Sequence, residues 1–306
     1  MAQTGTAWLL SLGWLAWALL RTSGGDRAFP LVPAVSFTPY VLGLAWIPIL
    51  TGLLARSWPT TALAVAASVL LVAAVVPRTR RSPAGGADGS LLTVGSLNLL
   101  HGRADPGAVR AHAVGLDVLL LQELTEAGLD ALLAAGLGAD FPHRIVDTEP
   151  GTSYGGAVFS RLPATALPAV PGGFRQPRAA VTLPDGSVLI VTSVHLWPPS
   201  TSAAHVRQWH ADLAALPTPA PLSLLGGDFN ATLDHSAFRA LLRRGWTDAG
   251  ATTGRGLVRT WYAGRLVPGL TIDHVLVPRG VAVAGYDVRP VSGSDHRFVT
   301  VALRFP

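Results

Sequence analysis

Apolar positions follow two regimes along the chain. Up to residue 76 they form long runs; beyond residue 90 they come in short bursts that end in polar residues. The long runs fall at residues 4–20 ("TGTAWLLSLGWLAWALL"), within 32–54, where Pro39 and Pro48 interrupt, and at 58–76, which carries no charge. About 20 apolar residues cross the hydrocarbon core of a bilayer. The pattern therefore predicts three transmembrane helices in residues 1–76, the first at the short end of the range. No basic stretch precedes the first run and no small-residue cleavage pattern follows it, which argues against a signal peptide.

The next stretch, "PRTRRSPAGGADGS" at 77–90, is rich in Pro, Gly, Ser and Arg and reads as a linker. Residues 91–306 then form a separate domain, and a fragment beginning near Ser82 is expected to be soluble and complete. Strand-like bursts are predicted at 91–99, 117–122, 154–160, 179–183, 188–195, 222–226, 271–277, 281–288 and 298–304. Helical periodicity falls at 106–114, 126–135, 203–215 and 235–244. Such a mix is α/β, with adjacent strand pairs that must run antiparallel.

Composition adds two exclusions. Cysteine is absent, so disulfides, thiolate metal sites and a cysteine nucleophile are all ruled out. Mean hydropathy is positive and only 13% of residues are charged, as membrane segments require. The basic pI of about 10.6 suggests nucleic acid until it is resolved by position. Every basic side chain is Arg, and residues 1–83 hold six (Arg21, Arg27, Arg56, Arg78, Arg80, Arg81) against Asp26 alone. Residues 84–306 hold seventeen Arg against seventeen acids, so the basic excess belongs to the apolar N-terminal region. A neutral domain lacks the overall electrostatic footprint of a strong DNA binder.

Chemistry gathers where the strands stop. "LLTVGSLN" ends in Asn98, "DVLLLQE" in Gln122 and Glu123, "VLIVTSVHL" around His195, and "PLSLLGGDFN" in Asp228 and Asn230. "GLTIDHVLV" holds Asp273 inside an apolar strand, and "VSGSDHRFVT" puts Ser294, Asp295 and His296 just before the last one. A buried strand tolerates a carboxylate only at its end or beside a partner, and layered α/β folds assemble active sites at strand ends. Taken singly, Glu123 reads equally as an acid near a helix start, Asp228 as an Asx-turn residue and His195 as a strand-end histidine bonded to backbone. Asp273 requires a partner. His274 faces the opposite way on the same strand and takes a structural role. One polar cluster explains all these endings together. The remaining histidines, His101 and His235 among them, read as surface or packing residues.

The ordered set "SLNLLHG", "LLLQEL", "YGGAVFSRLP", "VTSVHL", "LLGGDFNATLD", "TIDHVLV" and "GSDHRFVTVAL" resembles the endonuclease/exonuclease/phosphatase superfamily, the DNase I-like metal-dependent phosphoesterases. The likeness runs from Leu91 to the C-terminus, and with apolar runs ahead of it the chain looks like a membrane-anchored bacterial branch. It implies a four-layer α/β sandwich of two mixed β-sheets flanked by helices, and Mg²⁺ or Mn²⁺ in place of a covalent nucleophile. Position by position, it implies that Glu123 is the principal metal ligand, helped by Asn98 and Asp295. It implies that Asp228 and Asn230 orient the attacking water and the phosphate, and that His195 acts near the leaving oxygen. It also implies that Asp273 supports an essential His296. Many relatives carry Asp or Asn where this chain has Leu100, which favours a single metal ion.

Those residue types suit the chemistry. Phosphoester hydrolysis needs charge neutralisation on nonbridging oxygens, an in-line water near a base, and a proton for the departing oxygen. H-E-x-x-H is absent, and the single G-x-S-x-G, at residues 151–155, runs into a predicted strand instead of leading from a strand into a helix, so zinc protease and serine hydrolase readings fail. A silent membrane-bound binding module of the same fold would be expected to have lost at least one of these positions, and none is lost. Superfamily members cleave nucleic acids, lipids and inositol phosphates, and the fold does not choose among them. Arg175 and Arg178 could hold a phosphate or form surface ion pairs; Trp261 could stack on a base, touch lipid or pack inside. Neutrality and a membrane anchor favour a small or lipid-linked phosphoester over nucleic acid, with no obligate protein partner implied. The Arg distribution predicts a multi-pass cell-membrane protein with its C-terminal domain in the cytoplasm.

Overall fold

The computed structural model describes residues 2–82, 89–262, 264 and 267–306. Of the 77–90 stretch read as a linker, residues 83–88 lie outside them. Two six-stranded sheets form the C-terminal part. One contains β1 (Leu91–Asn98), β2 (Val118–Leu124), β3 (His143–Asp147), β4 (Gly155–Ser160), β11 (Ala282–Pro290) and β12 (Arg297–Arg304), in the order β11-β12-β1-β2-β4-β3. The other contains β5 (Ala164–Val170), β6 (Gln176–Thr182), β7 (Val188–His195), β8 (Ser223–Asp228), β9 (Trp246–Asp248) and β10 (Asp273–Pro278), in the order β5-β6-β7-β8-β10-β9. Each sheet has one parallel pair at its centre, β1–β2 and β7–β8, and is otherwise antiparallel. Mixed sheets are what the resemblance implied.

Period-two patterning builds the layers. On β1 and β2, Leu92, Val94, Val118 and Leu120 meet Leu189, Val191, Leu224, Val275 and Val277 of the other sheet in one core. The alternate positions Leu97, Leu119 and Leu121 pack outward on helices that include Val109, Ala113 and Leu132. Val194, Leu225 and Leu276 likewise face Val206, Trp209, Phe238 and Leu241. Burial on both faces explains the unbroken apolar runs in these central strands, and each fully buried Leu or Val contributes about 1.5–3 kcal/mol. At Gly227 the two parallel strands come closest: φ is +146°, and a Cβ would lie 2.0 Å from the Val194 carbonyl oxygen.

Eleven α-helices are described: α1 (Ala2–Ser23), α2 (Leu31–Val35), α3 (Thr38–Gly43), α4 (Trp46–Leu54), α5 (Trp58–Val75), α6 (Pro106–Ala113), α7 (Glu126–Ala134), α8 (Leu137–Asp140), α9 (Ala203–Ala215), α10 (Ser236–Arg243) and α11 (Ala249–Thr252). Of the three predicted spans, one is supported. Among the described residues only Trp58–Thr79, 22 residues at a hydropathy of 2.2, is long and apolar enough to cross a membrane. The first run does form a 22-residue helix, but Thr, Gly and Ser dilute its apolar character. The second run breaks into three helices of five, six and nine residues, with Pro30, Pro39 and Pro48 at or near their starts.

The N-terminal helices also dock rather than hang from a tether. Ala18, Ala67 and Leu71 seat α1 on α5, Val32 of α2 joins the cluster around Trp209 and Phe238, and Tyr40 donates to the Gly269 carbonyl at 2.5 Å. A fragment from Ser82 onward would lack these contacts.

Candidate active site

The inner-face parity that builds the core also builds the site. Continuing the series Leu92, Val94, Ser96 gives Asn98; Leu189, Val191, Ser193 gives His195; Leu224, Gly226 gives Asp228. At the strand ends the two inner faces part, and polar residues replace apolar ones. Ser96, Gln122 and Ser193 form the floor: the Gln122 amide donates to Ser193 Oγ at 2.9 Å, and Ser193 Oγ donates to the Leu121 carbonyl at 3.1 Å. Strand register sets His195 and Asp273 on either side of Asp228.

Glu123 departs from parity, and the backbone shows how. The β2–β4 register shifts between Gln122 and Leu124, and Glu123 sits at φ +53°. A bulge of this kind re-aims a side chain, here from the outer face into the site. Thr125 caps α7 through Gly128 N–H, so Glu123 is not needed there. One Glu123 oxygen accepts from Asn98 Nδ2 at 2.9 Å and the other from the His101 backbone N–H at 2.7 Å. Asn98 Nδ2 also donates to Asp228 at 3.1 Å, while its Oδ1 accepts from Leu100 N–H. Asn98 therefore bridges the two carboxylates. Leu100 and His101, at φ +48° and +53°, curl the loop that makes this possible.

Asp228 lies at the centre. Its Oδ2 is 3.8 Å from His195 Nε2 and 3.7 Å from His296 Nε2, and its Oδ1 accepts from Asn230 N–H at 2.8 Å. The Asx-turn reading was thus correct as far as it went; Asp228 serves both turn and site. Asn230, at φ +46°, donates its amide to the Leu196 carbonyl. His296 Nδ1 lies 2.9 and 3.1 Å from the two Asp273 oxygens, which supplies the partner Asp273 required. Asp295 accepts from Trp261 Nε1 at 2.9 Å. Its other oxygen is buried, 3.9 Å from His296 Nε2, and accepts no hydrogen bond among the described residues.

Burial and charge then sort the titrations. Burial lowers His195 to about 3, leaving it neutral. The same burial opposes a charge on His296, but Asp273, Asp228 and Asp295 outweigh it and push that imidazole up to about 10. Burial raises Asp228 to about 7 against the pull of His296. His274 keeps to its own side of β10, held by Asp248 Oδ2 and the Ala231 carbonyl at 2.8 Å each.

Two predicted substrate contacts are not brought to the site as free groups. Arg178 faces away from the inner core and donates to the Pro168 carbonyl at 3.4 Å, because Ala179 and Val181 take the inward positions of β6. Arg175 pairs with Asp147 and Glu149 at 3.8 and 3.4 Å. Trp261 does reach the site, as the donor to Asp295 rather than as a free stacking surface. Sequence reasoning missed three features. His101, read as a surface residue, has Nδ1 3.3 Å from Glu123 and 2.7 Å from Ser153 Oγ. Phe174 stacks on His195 with ring centroids 4.0 Å apart, and Trp197 stacks on Phe174. The third is Asp234, whose partners lie in the N-terminal helices. No local pattern marks any of them, since each contact joins residues far apart in the sequence.

Asp228, Asp273 and His296 offer ligand atoms within 4.8 Å of one another, but both Asp273 oxygens are engaged by His296. Glu123 and Asp295 add further hard-oxygen donors, and the Asp295 oxygen that accepts no hydrogen bond fits a cation. This is a donor set for an oxygen-seeking divalent ion.

The sequence profile of the Endonuclease/Exonuclease/phosphatase family matches residues 95–296, from the middle of β1 to His296. The chain belongs to the endonuclease/exonuclease/phosphatase family. Its members are phosphoester hydrolases, and the polar constellation lies within the matched span. Solved structures agree in fold. A family member from Beutenbergia cavernae DSM 12333 is 21% identical with a TM-score of 0.53, over 70% of this chain and 72% of that one. D. rerio TDP2, solved with a single strand DNA product, is 17% identical with a TM-score of 0.55, over 70% and 99%. A family member from Bacteroides vulgatus is 13% identical with a TM-score of 0.51, over 71% and 100%. Among proteins of curated function, none matches the chain.

Proposed function

We propose that the protein is a membrane-attached, Mg²⁺- or Mn²⁺-dependent phosphoesterase that hydrolyses a small or lipid-linked phosphoester by in-line attack of water. The observation that carries this reading is the buried Asp228 carboxylate with His195 Nε2 and His296 Nε2 at 3.8 and 3.7 Å. Glu123 and Asp295, with Asn98 beside them, would hold the cation, which when bound neutralises charge on a nonbridging oxygen. Asp228, poised near neutrality, takes a proton from the attacking water, and Asn230 fixes the loop that aims it. The His296 imidazolium, kept charged by Asp273, donates from Nε2 to a phosphoryl oxygen. His195 stays neutral, so it contributes a hydrogen bond rather than a charge. Arg175 pairs with Asp147 and Glu149, and Arg178 lies on the outward side of β6, which supports a substrate smaller than a duplex.

Membrane attachment through α5 is part of the proposal. Arg21 and Val32 contact the catalytic domain, so on this proposal they lie on the side of Arg78, Arg80 and Arg81, opposite Arg56, and charge counting favours the catalytic domain in the cytoplasm. Purified full-length protein should lose phosphoesterase activity in excess EDTA and regain it with Mg²⁺ or Mn²⁺, tested on a panel of small phosphodiesters and monoesters. Full turnover in EDTA would remove the mechanism.

A further inference from the structure

The segment from Asp228 to α10 is held at both ends, and the two holds come from different parts of the molecule. At its start, Phe229 N–H donates to the Ile272 carbonyl at 3.0 Å, and His274 Nε2 lies 2.8 Å from the Ala231 carbonyl. Six residues past Asp228, Asp234 is fully buried and faces two guanidinium groups. Arg21 Nε, from α1, donates to its Oδ1 at 2.5 Å. Arg78, just beyond α5, donates to Oδ2 at 2.8 Å and to Oδ1 at 2.5 Å. Arg21 also donates to the Leu233 carbonyl at 3.1 Å, His235 Nε2 lies 3.0 Å from the Val32 carbonyl, and Asp26 accepts from Ser236 N–H at 2.7 Å. Burial alone would raise the Asp234 carboxyl, yet Arg78 and Arg21 hold it below its usual value.

These contacts differ from surface ion pairs. A buried carboxylate deprived of its partners leaves an uncompensated charge that drives local rearrangement. Here the rearranging segment is the one that fixes Asp228, and reacting groups misplaced by about 1 Å lose about 10²-fold in rate. We propose that Asp234 is a positioning residue: paired with Arg21 and Arg78, it makes the ends of α1 and α5 the back wall of the Asp228 loop, so that the packing of the N-terminal helices governs catalysis. This rests on the phosphoesterase reading.

The test uses full-length protein in detergent, assayed with bis(p-nitrophenyl) phosphate and Mg²⁺, alongside hydrogen exchange. Asp234→Asn should lower kcat by about 10- to 10²-fold while leaving KM and the Mg²⁺ midpoint within about twofold of wild type. Amides of residues 229–236 should exchange faster while β7 stays protected, and Asp234→Glu should recover most of the turnover. Asp140→Asn, which breaks the Arg110–Asp140 pair far from the site, should change nothing. Should Asp234→Asn fail to fold, Arg21→Gln, which keeps the Arg78 pair, carries the same comparison. Wild-type kcat in a folded variant, or a loss that tracks exchange across every strand, would overturn the proposal. An inactive wild type would count against the phosphoesterase reading alone, and exchange at 229–236 would still decide the coupling.

Discussion

His195 and His296 both approach Asp228, yet their surroundings give them opposite charge. His195 has Phe174 on its face and no partner for Nδ1 among the described residues, so burial wins. His296 has a carboxylate on each side, and attraction wins. Activity should follow the groups that titrate within reach. kcat/KM is expected to rise through about pH 7 as Asp228 (about 7) loses its proton, and to fall toward about pH 10 as His296 (about 10) loses its own. Replacing Asp273 by Asn removes a carboxylate that raises His296, so the alkaline limb should move to lower pH. An unmoved limb would mean that His296 is not the group titrating there. His296→Ala and Asp228→Ala should each cost about 10²-fold or more in turnover. His274→Ala should cost less than either, because that ring faces away from the reacting groups and acts on the Asp228 loop only through the Ala231 carbonyl.

At the scale of elements, the parallel pairs β1–β2 and β7–β8 present Asn98, Glu123, His195 and Asp228 at one edge of the sandwich. Gly227 lets β7 and β8 approach closely enough for this. Gly227→Ala would force a Cβ 2.0 Å from the Val194 carbonyl at a φ that L residues avoid. It should destabilise the protein by more than about 1 kcal/mol, read as a lower thermal midpoint, with β8 amides exchanging first. A normal midpoint would mean that the close approach relaxes freely. The central strands were legible in sequence because burial on both faces demands long apolar runs. β3, β5 and β9 were not, and all three are edge strands. His143–Asp147 mixes charge into its pattern, Ala164–Val170 carries Pro168 and exposed positions, and Trp246–Asp248 has only three residues. The site was legible wherever a residue continued the inner-face alternation. Glu123 escaped that rule because a bulge, which alternation cannot predict, turns its side chain into the cleft.

At the scale of the whole molecule, the N-terminal helices and the sandwich share a buried ion network and an apolar cluster. A fragment beginning at Ser82 would leave Asp234 without Arg21 and Arg78 and the Trp209–Phe238 cluster without Val32. It should therefore unfold at a lower temperature than the full chain and turn over more slowly; equal stability would mean that the docking contributes nothing. The same arrangement bears on substrate. Duplex DNA is gripped by neutralising several phosphates with Lys or Arg. Residues 84–306 carry no Lys and balance their Arg with acids, and the two Arg that sequence analysis offered for phosphate contact are committed to Asp147, Glu149 and the Pro168 carbonyl. Trp261 is bonded to Asp295 rather than free to stack on a base. On the proposed attachment through α5, the active-site edge, joined to the ends of α1 and α5 through Asp234, would lie near lipid headgroups and be poorly placed for long duplexes. Full-length protein should accordingly show a higher kcat/KM on a small or vesicle-borne phosphoester than on plasmid DNA, compared at matched Mg²⁺ and two salt concentrations. Plasmid nicking that falls steeply with salt, without turnover of the small esters, would instead make the enzyme a nuclease.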